Sequence, residues 1–251
     1  MIGSDHWSHS SAKLYLECPR HWHAQYVEGK RGPAGSALIK GKALDQVASE
    51  NWRQKAKTHK DISITEAEEM GEQFYRDAVS EVGGRDEVDW SKETFPTAME
   101  SSLRMVRGHM VAHAPLYEPS DVQLRVTREI PGSKRYFLGF IDALDQDGTV
   151  IDVKSAGRKM PQGEADRDLQ ASAYAFALRR PIDFKFLRII DNLKGVNAET
   201  ISTTRSQAGV EWYGEMLAEA DKGVEAGSFP ARPGFWCGWC PIRKTCIESI
   251  V

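Results

Sequence analysis

Phe140-Ile141-Asp142-Ala143-Leu144-Asp145-Gln146-Asp147-Gly148-Thr149-Val150-Ile151-Asp152-Val153-Lys154 is the stretch that decides the fold. Two apolar runs, Tyr136 to Leu144 and Val150 to Val153, read as strands. Asp145-Gln146-Asp147-Gly148 between them is a strong hairpin turn. If the hairpin centres on Asp147, residues whose numbers sum to 294 face each other, which sets Asp142 opposite Asp152. Directly opposed residues share a sheet face, and Lys154, two residues on, shares it too. A slip of one residue would separate the two carboxylates, so the proposal depends on the loop length.

Two carboxylates beside one ammonium suit phosphodiester hydrolysis. Mg²⁺ and Mn²⁺ prefer oxygen ligands, which Asp142, Asp152 and the Val153 carbonyl can supply. Such an ion lowers the pKa of a bound water, and Lys154 can orient that water or stabilise developing negative charge. Asp-x-Lys is also a common tripeptide, and a plain Asp152–Lys154 salt bridge is the bland alternative. Against it, Ile151-Asp152-Val153 is an apolar strand, where an unpaired carboxylate is costly to bury.

Around this hairpin the chain alternates elements. Ser8 to Tyr26 reads as helical with a break at Cys18-Pro19. Helices follow over Ser36 to about Lys55, 64–82 and 94–113, with a loop at Gly83-Gly84-Arg85-Asp86. After Pro119 come the strand Val122 to Ile130 and the hairpin, then a helix over Glu164 to Arg180. Strands at Phe184 to Ile190 and Glu199 to Thr203 precede a helix over Gln207 to Ala226. The order predicts a mixed α/β fold (α+β mixed sheet) in three regions that pack as one composite domain. Residues 1–120 are mainly helical, 121–205 form the core, and 206–251 hold a helix and a cysteine cluster. On the Glu164–Arg180 helix, Arg167, Gln170 and Tyr174 would share one face, suited to contact with a substrate strand or to a partly buried tyrosine.

The cysteines form the second signal. Cys237, Cys240 and Cys246 are spaced C-x-x-C-x5-C, and Cys18 stands alone near the other end. Four cysteines in 251 residues are too few for a disulfide scaffold, and in a cytosolic setting ligand thiols are the better reading. A link closing the loop from Cys18 to Cys237 is worth on the order of 5 kcal/mol. Zinc is the rival occupant, although structural zinc sites typically use two close pairs.

Composition sets bounds. A hydrophobic content of 41% with 27% charged residues fits a soluble globular protein, and a net charge of −3 argues against a passive nucleic-acid coat. Local basic pairs such as Arg158-Lys159 remain candidates for holding phosphates, with Arg167 beside them. No run is long enough to span a membrane and no charged leader precedes an apolar run, so a cytoplasmic location is expected.

Taken together, these residues resemble the RecB-like branch of the PD-(D/E)xK nuclease superfamily, and within it the iron–sulfur subgroup. That subgroup contains the CRISPR-associated exonucleases of the Cas-four type and AddB-type nuclease domains. The resemblance rests on Ser8-His9-Ser10 with Cys18-Pro19, on Gly41-Lys42-Ala43-Leu44-Asp45, and on Gly139-Phe140-Ile141-Asp142. It continues through Asp152-Val153-Lys154, Gln170 to Tyr174, and Cys237-x-x-Cys240-Pro241 to Cys246. It implies a restriction-endonuclease-like core with a C-terminal cysteine clasp. It also implies catalytic roles for Asp142, Asp152, Lys154, Gln170 and Tyr174, and a 4Fe–4S cluster on Cys18, Cys237, Cys240 and Cys246. The metal site would use Asp45, Asp142, Asp152 and Val153 with Mg²⁺ or Mn²⁺. Asp45 departs from the family, which usually has a His there; an oxygen donor in its place implies better tolerance of Mg²⁺.

The activity implied is a DNA exonuclease, often acting on single strands in the 5′ to 3′ direction. A structure-selective or end-trimming nuclease is the nearest variant, and a non-catalytic DNA- or partner-binding module is the alternative of another class. Recombination or CRISPR-adaptation proteins are the implied partners, and a ring or homo-oligomer is compatible with the sequence.

Overall fold

The computed structural model describes residues 3–192 and 195–248. In chain order it contains β1 (His6–Trp7), α1 (His9–Glu17), α2 (Pro19–Tyr26), β2 (Ala34–Gly35), α3 (Ser36–Thr58), α4 (Ile64–Glu81), β3 (Val88–Asp89) and α5 (Phe95–Ala112). Then follow β4 (Pro119–Glu129), β5 (Tyr136–Asp145), β6 (Val150–Ala156), α6 (Gln162–Asp166), α7 (Leu169–Leu178), β7 (Ile182–Asn192), β8 (Gly195–Arg205), α8 (Gln207–Glu225) and α9 (Arg243–Glu248).

The main sheet is mixed. Its order is β1-β5-β6-β7-β8, with β4 antiparallel to β5 and β6 parallel to β7. Parallel neighbours need a long crossover, which α6 and α7 supply. Helices cover both faces. On one side α1, α2, α7 and α8 bury Tyr15, Trp22, Phe176 and Tyr213 against Phe137, Ile141 and Phe184. On the other, α3 and α5 press Leu44, Val47, Trp52 and Met105 onto Ala143, Ile151 and Leu187. The helix α7 is buried nearly all round, and its alternating alanines (171, 173, 175 and 177) let it lie close to the sheet.

The hairpin register is the expected one: Ala143 pairs with Ile151 and Leu144 with Val150, and each pair sums to 294. The turn closes with the Gly148 N–H donating to the Asp145 carbonyl at 2.9 Å. What the sequence reading lacked is the shape of the rest of β5. Its first residues pair with β1 (His6 with Tyr136, Trp7 with Phe137) and its last with β6. Between these partners the strands part, and the gap opens at Asp142.

One helix assignment needs correction. The break at Cys18-Pro19 is present: Cys18 ends α1 and starts α2, with Pro19 at the first helical position. The single helix expected over Glu164 to Arg180, however, is two. Asp168 accepts the Gln170 N–H at 2.7 Å and caps α7, which stops α6 at Asp166. Arg167 therefore does not share a helix face with Gln170 and Tyr174. The loop expected at residues 83–86 runs into a short 3-10 turn, Arg85–Glu87, before β3.

The chain ends meet. Trp7 Nε1 donates to Asp221 Oδ1 (3.0 Å), the Tyr15 hydroxyl to the Ser228 carbonyl (3.1 Å), and Arg232 Nη1 to the Leu16 carbonyl (2.8 Å). No helix among the described residues is long and apolar enough to cross a membrane.

Candidate active site

Asp152 is fully buried on β6, at 0% exposure. Its Oδ1 accepts from Lys154 Nζ at 2.8 Å and from Gln170 Nε2 at 2.5 Å. Its Oδ2 is buried and meets no donor among the described residues. Asp142 Oδ2 accepts the backbone N–H of Val153 at 2.9 Å, so a side chain takes over where the ladder stops. Gln170 also donates to the Tyr174 hydroxyl (3.2 Å), which donates to the Phe140 carbonyl (2.5 Å). Strand β5, strand β6 and helix α7 are thus tied at one point.

Two glycines allow this approach. A Cβ at Gly139 would stand 3.2 Å from the Tyr174 ring and 3.0 Å from Phe137. A Cβ at Gly41 would stand 3.2 Å from Ser155 Oγ, so Gly41 lets α3 run close to β6 and bring Asp45 with it. Asp45 accepts from Gln123 Nε2 at 3.2 Å, and Gln123 also donates to Ser49 (2.9 Å). Gln123 sits at φ 51°, in the left-handed region, where β4 turns its side chain toward α3.

The charges are tightly coupled. Burial pushes the Asp152 carboxyl up to about 7 and that of Asp142 up to about 6, against the pull of Lys154. Burial also raises Asp45, and the neighbouring Asp152 charge adds to the effect. Burial alone would lower Lys154, yet Asp152, Asp142 and Asp45 hold it above its ordinary value, so it stays an ammonium. Three carboxylates and one ammonium leave a net −2 when all are ionised.

His9 belongs here although sequence reasoning gave it no role. At the start of α1 its Nε2 is buried without a partner among the described residues. Burial, with Lys154 and Lys13 nearby, holds it down at about 3, hence neutral. Ser8-His9-Ser10 marks the position in the sequence but not its burial, which depends on α1 docking beside Lys154. The predicted basic contacts make no hydrogen bond or ion pair to these carboxylates among the described residues. Arg158 is ion-paired with Glu164 at 2.9 Å, and Lys159 and Arg167 are exposed.

The four cysteines line one cavity together with His21 and Trp236. Cys18 Sγ accepts the Arg232 N–H at 3.4 Å and Cys237 Sγ the Gly234 N–H at 3.5 Å. Burial raises the Cys240 thiol, and the sulfurs of Cys18, Cys237 and Cys246 act in the same direction. As they stand, no three or more His, Cys, Asp or Glu side chains among the described residues are drawn together tightly enough to grip an ion.

A family model described as the PD-(D/E)XK nuclease superfamily matches residues 6–247, nearly the whole chain. This chain belongs to that superfamily. The nuclease fold also appears in a solved structure from Eubacterium rectale, that of a candidate exonuclease. It superposes with a TM-score of 0.64 at 13% identity, over 96% of this chain and 88% of that one. A second solved structure, SSO0001, aligns over 82% of this chain and 97% of its own, with a TM-score of 0.39 at 14% identity. No curated protein matches the chain.

Proposed function

We propose that this nuclease is a divalent-metal-dependent deoxyribonuclease that degrades DNA from its ends, with a 4Fe–4S cluster clasping its termini. The observation carrying the first part is the unpartnered, buried Oδ2 of Asp152 in a cluster with an excess of negative charge. A buried carboxylate oxygen with no donor is costly unless a cation meets it. The donor set consists of hard oxygens, which fits Mg²⁺ or Mn²⁺. Asp142, Asp152, the Val153 carbonyl and Asp45 would hold the ion. When bound, it supplies Lewis-acid polarisation of the phosphate and a more acidic water.

The chain's own groups do the rest. Gln170, held by Tyr174, fixes the Asp152 carboxylate, so its free oxygen keeps one direction. Lys154 stays protonated and places positive charge where the phosphate gains negative charge during attack. In the reaction the water oxygen forms a bond to phosphorus. The attacking water gives up a proton to solvent, the phosphorus–oxygen bond to the leaving sugar breaks, and the leaving oxygen takes a proton from solvent. His9, neutral beside Lys154, adds no competing charge.

The cysteine cavity supports the second part. Thiolates are soft donors suited to iron–sulfur clusters, and backbone N–H groups already point at two of the sulfurs. Cys18, Cys237, Cys240 and Cys246 would hold the cluster, whose role is structural.

Digestion of end-labelled single- and double-stranded DNA with Mg²⁺ or Mn²⁺ tests the activity, and the label position gives the polarity. Shortening from one end is expected. Cuts confined to internal sites would replace the exonuclease reading with an endonuclease one.

A further inference from the structure

Phe140 is 49% exposed although it lies in the central hairpin, two residues before Asp142. Folding does not explain a large exposed ring there. Directly opposite it on β4 stands Arg125, and the next pairs on that face are Thr127 with Leu138 and Glu129 with Tyr136. The His6 ring lies 5.8 Å from that of Tyr136. The face therefore offers two aromatic rings, Phe140 and Tyr136, and the Arg125 guanidinium in a row leading away from Asp142, with Glu129 at its far end. Six residues of strand span about 20 Å, room for five or six stacked nucleotides at about 3.4 Å each.

The row ends at a second unexplained feature. A cavity of about 920 Å³ wraps the β4–β5 turn, lined among others by Arg125, Arg128, Lys134 and Arg179. Arg125, Lys134 and Arg179 are exposed, and their side chains carry no ion pair among the described residues. Arg179 lies close enough to Arg128 for its like charge to add to burial in lowering the latter. The outer edge of β4 pairs with no strand among the described residues.

We infer that this face is a single-strand track: one DNA strand leaves Asp142 over Phe140, on which a base stacks, passes Arg125, and lays its phosphates against Lys134 and Arg179. The substrate class rests on the nuclease reading. The choice of a single strand rests on Phe140, since base faces are free to stack on a ring only when unpaired.

The test is fluorescence anisotropy of a labelled twenty-nucleotide oligo-dT in metal-free buffer, where binding is read without cleavage. Phe140→Ala should weaken binding about tenfold, while Phe140→Trp keeps it. Arg125→Ala and Lys134→Ala should each weaken binding and reduce the salt slope by about 0.7. A blunt duplex should bind equally to wild type and Phe140→Ala. Unchanged oligo-dT binding by Phe140→Ala and Arg125→Ala, or an equal loss on duplex, would overturn the track. Because Phe140, Arg125 and Lys134 are exposed, wild-type melting temperatures are expected and are checked for each variant. A protein that binds through Phe140 but never cuts DNA would sink the nuclease reading alone. One that cuts DNA with binding indifferent to Phe140 would sink the track alone.

Discussion

The backbone N–H of Val153 donates to the side chain of Asp142 at 2.9 Å, where the β5–β6 ladder would otherwise continue. The contact fixes the two acidic strands relative to each other while letting them part. It leaves Asp142 one oxygen for other use and sets the Val153 carbonyl on the same short stretch as Asp152.

The burial of Asp152 comes at a cost in stability. Its folded-state pKa of about 7 lies above the ordinary 3.8. From about pH 4 to 7 the folded chain keeps a proton that the unfolded chain has released, so this group's contribution falls as pH rises through that window. In metal-free buffer Asp152→Asn should be more stable than wild type at pH 8, by on the order of a few kcal/mol, and so melt higher, and should match it near pH 4. Mn²⁺ should raise the wild-type melting temperature more at pH 8 than at pH 5, because the carboxylates must first lose their protons. Thermal melts across pH with and without Mn²⁺ check both. A wild type and Asp152→Asn that melt alike at pH 8 would contradict the first.

Gln170 is expected to act through Asp152. Gln170→Ala removes one donor from the buried carboxylate and should lower kcat about 10- to 100-fold at saturating metal, with KM for DNA little changed. Tyr174→Phe leaves the Phe140 carbonyl without its donor and should cost about 1–3 kcal/mol of stability. Steady-state kinetics and denaturant unfolding separate the two effects.

Asp45 should set the choice of ion. An oxygen donor there favours the harder Mg²⁺, so Asp45→His is expected to shift the ratio of Mn²⁺- to Mg²⁺-supported cleavage upward several-fold. Rates measured with each ion check this, and an unchanged ratio would remove Asp45 from the ligand set.

Cys18 should govern the clasp. Cys18→Ser is expected to reduce bound iron and the visible absorbance of anaerobically purified protein and to lower its melting temperature. Trp7–Asp221 and Tyr15–Ser228 keep some docking of the ends, so the fold should survive. Zinc in place of iron, by elemental analysis, would assign the cavity to the other metal.

Much of this was legible in the sequence where local chemistry decides. The turn residues of Asp145–Gly148 fixed the register, and hence the approach of Asp142 to Asp152. Pro19 marked the break at Cys18. The break between α6 and α7 was not legible, because Asp168 reads as an ordinary helical residue until its side chain is seen capping Gln170. That misplaced Arg167. The two-residue strand β1 is too short to leave a pattern, yet it decides where β5 stands open. The burial of His9 was hidden for a similar reason, since it is created by long-range docking.

The most direct measurement compares wild type with Lys154→Ala on end-labelled DNA in Mg²⁺ or Mn²⁺. The account predicts metal-dependent shortening by wild type and a loss of about a hundredfold or more in the variant, whose fold and metal binding persist. Equal digestion by both proteins, or none by cluster-loaded wild type on any DNA end, would contradict it.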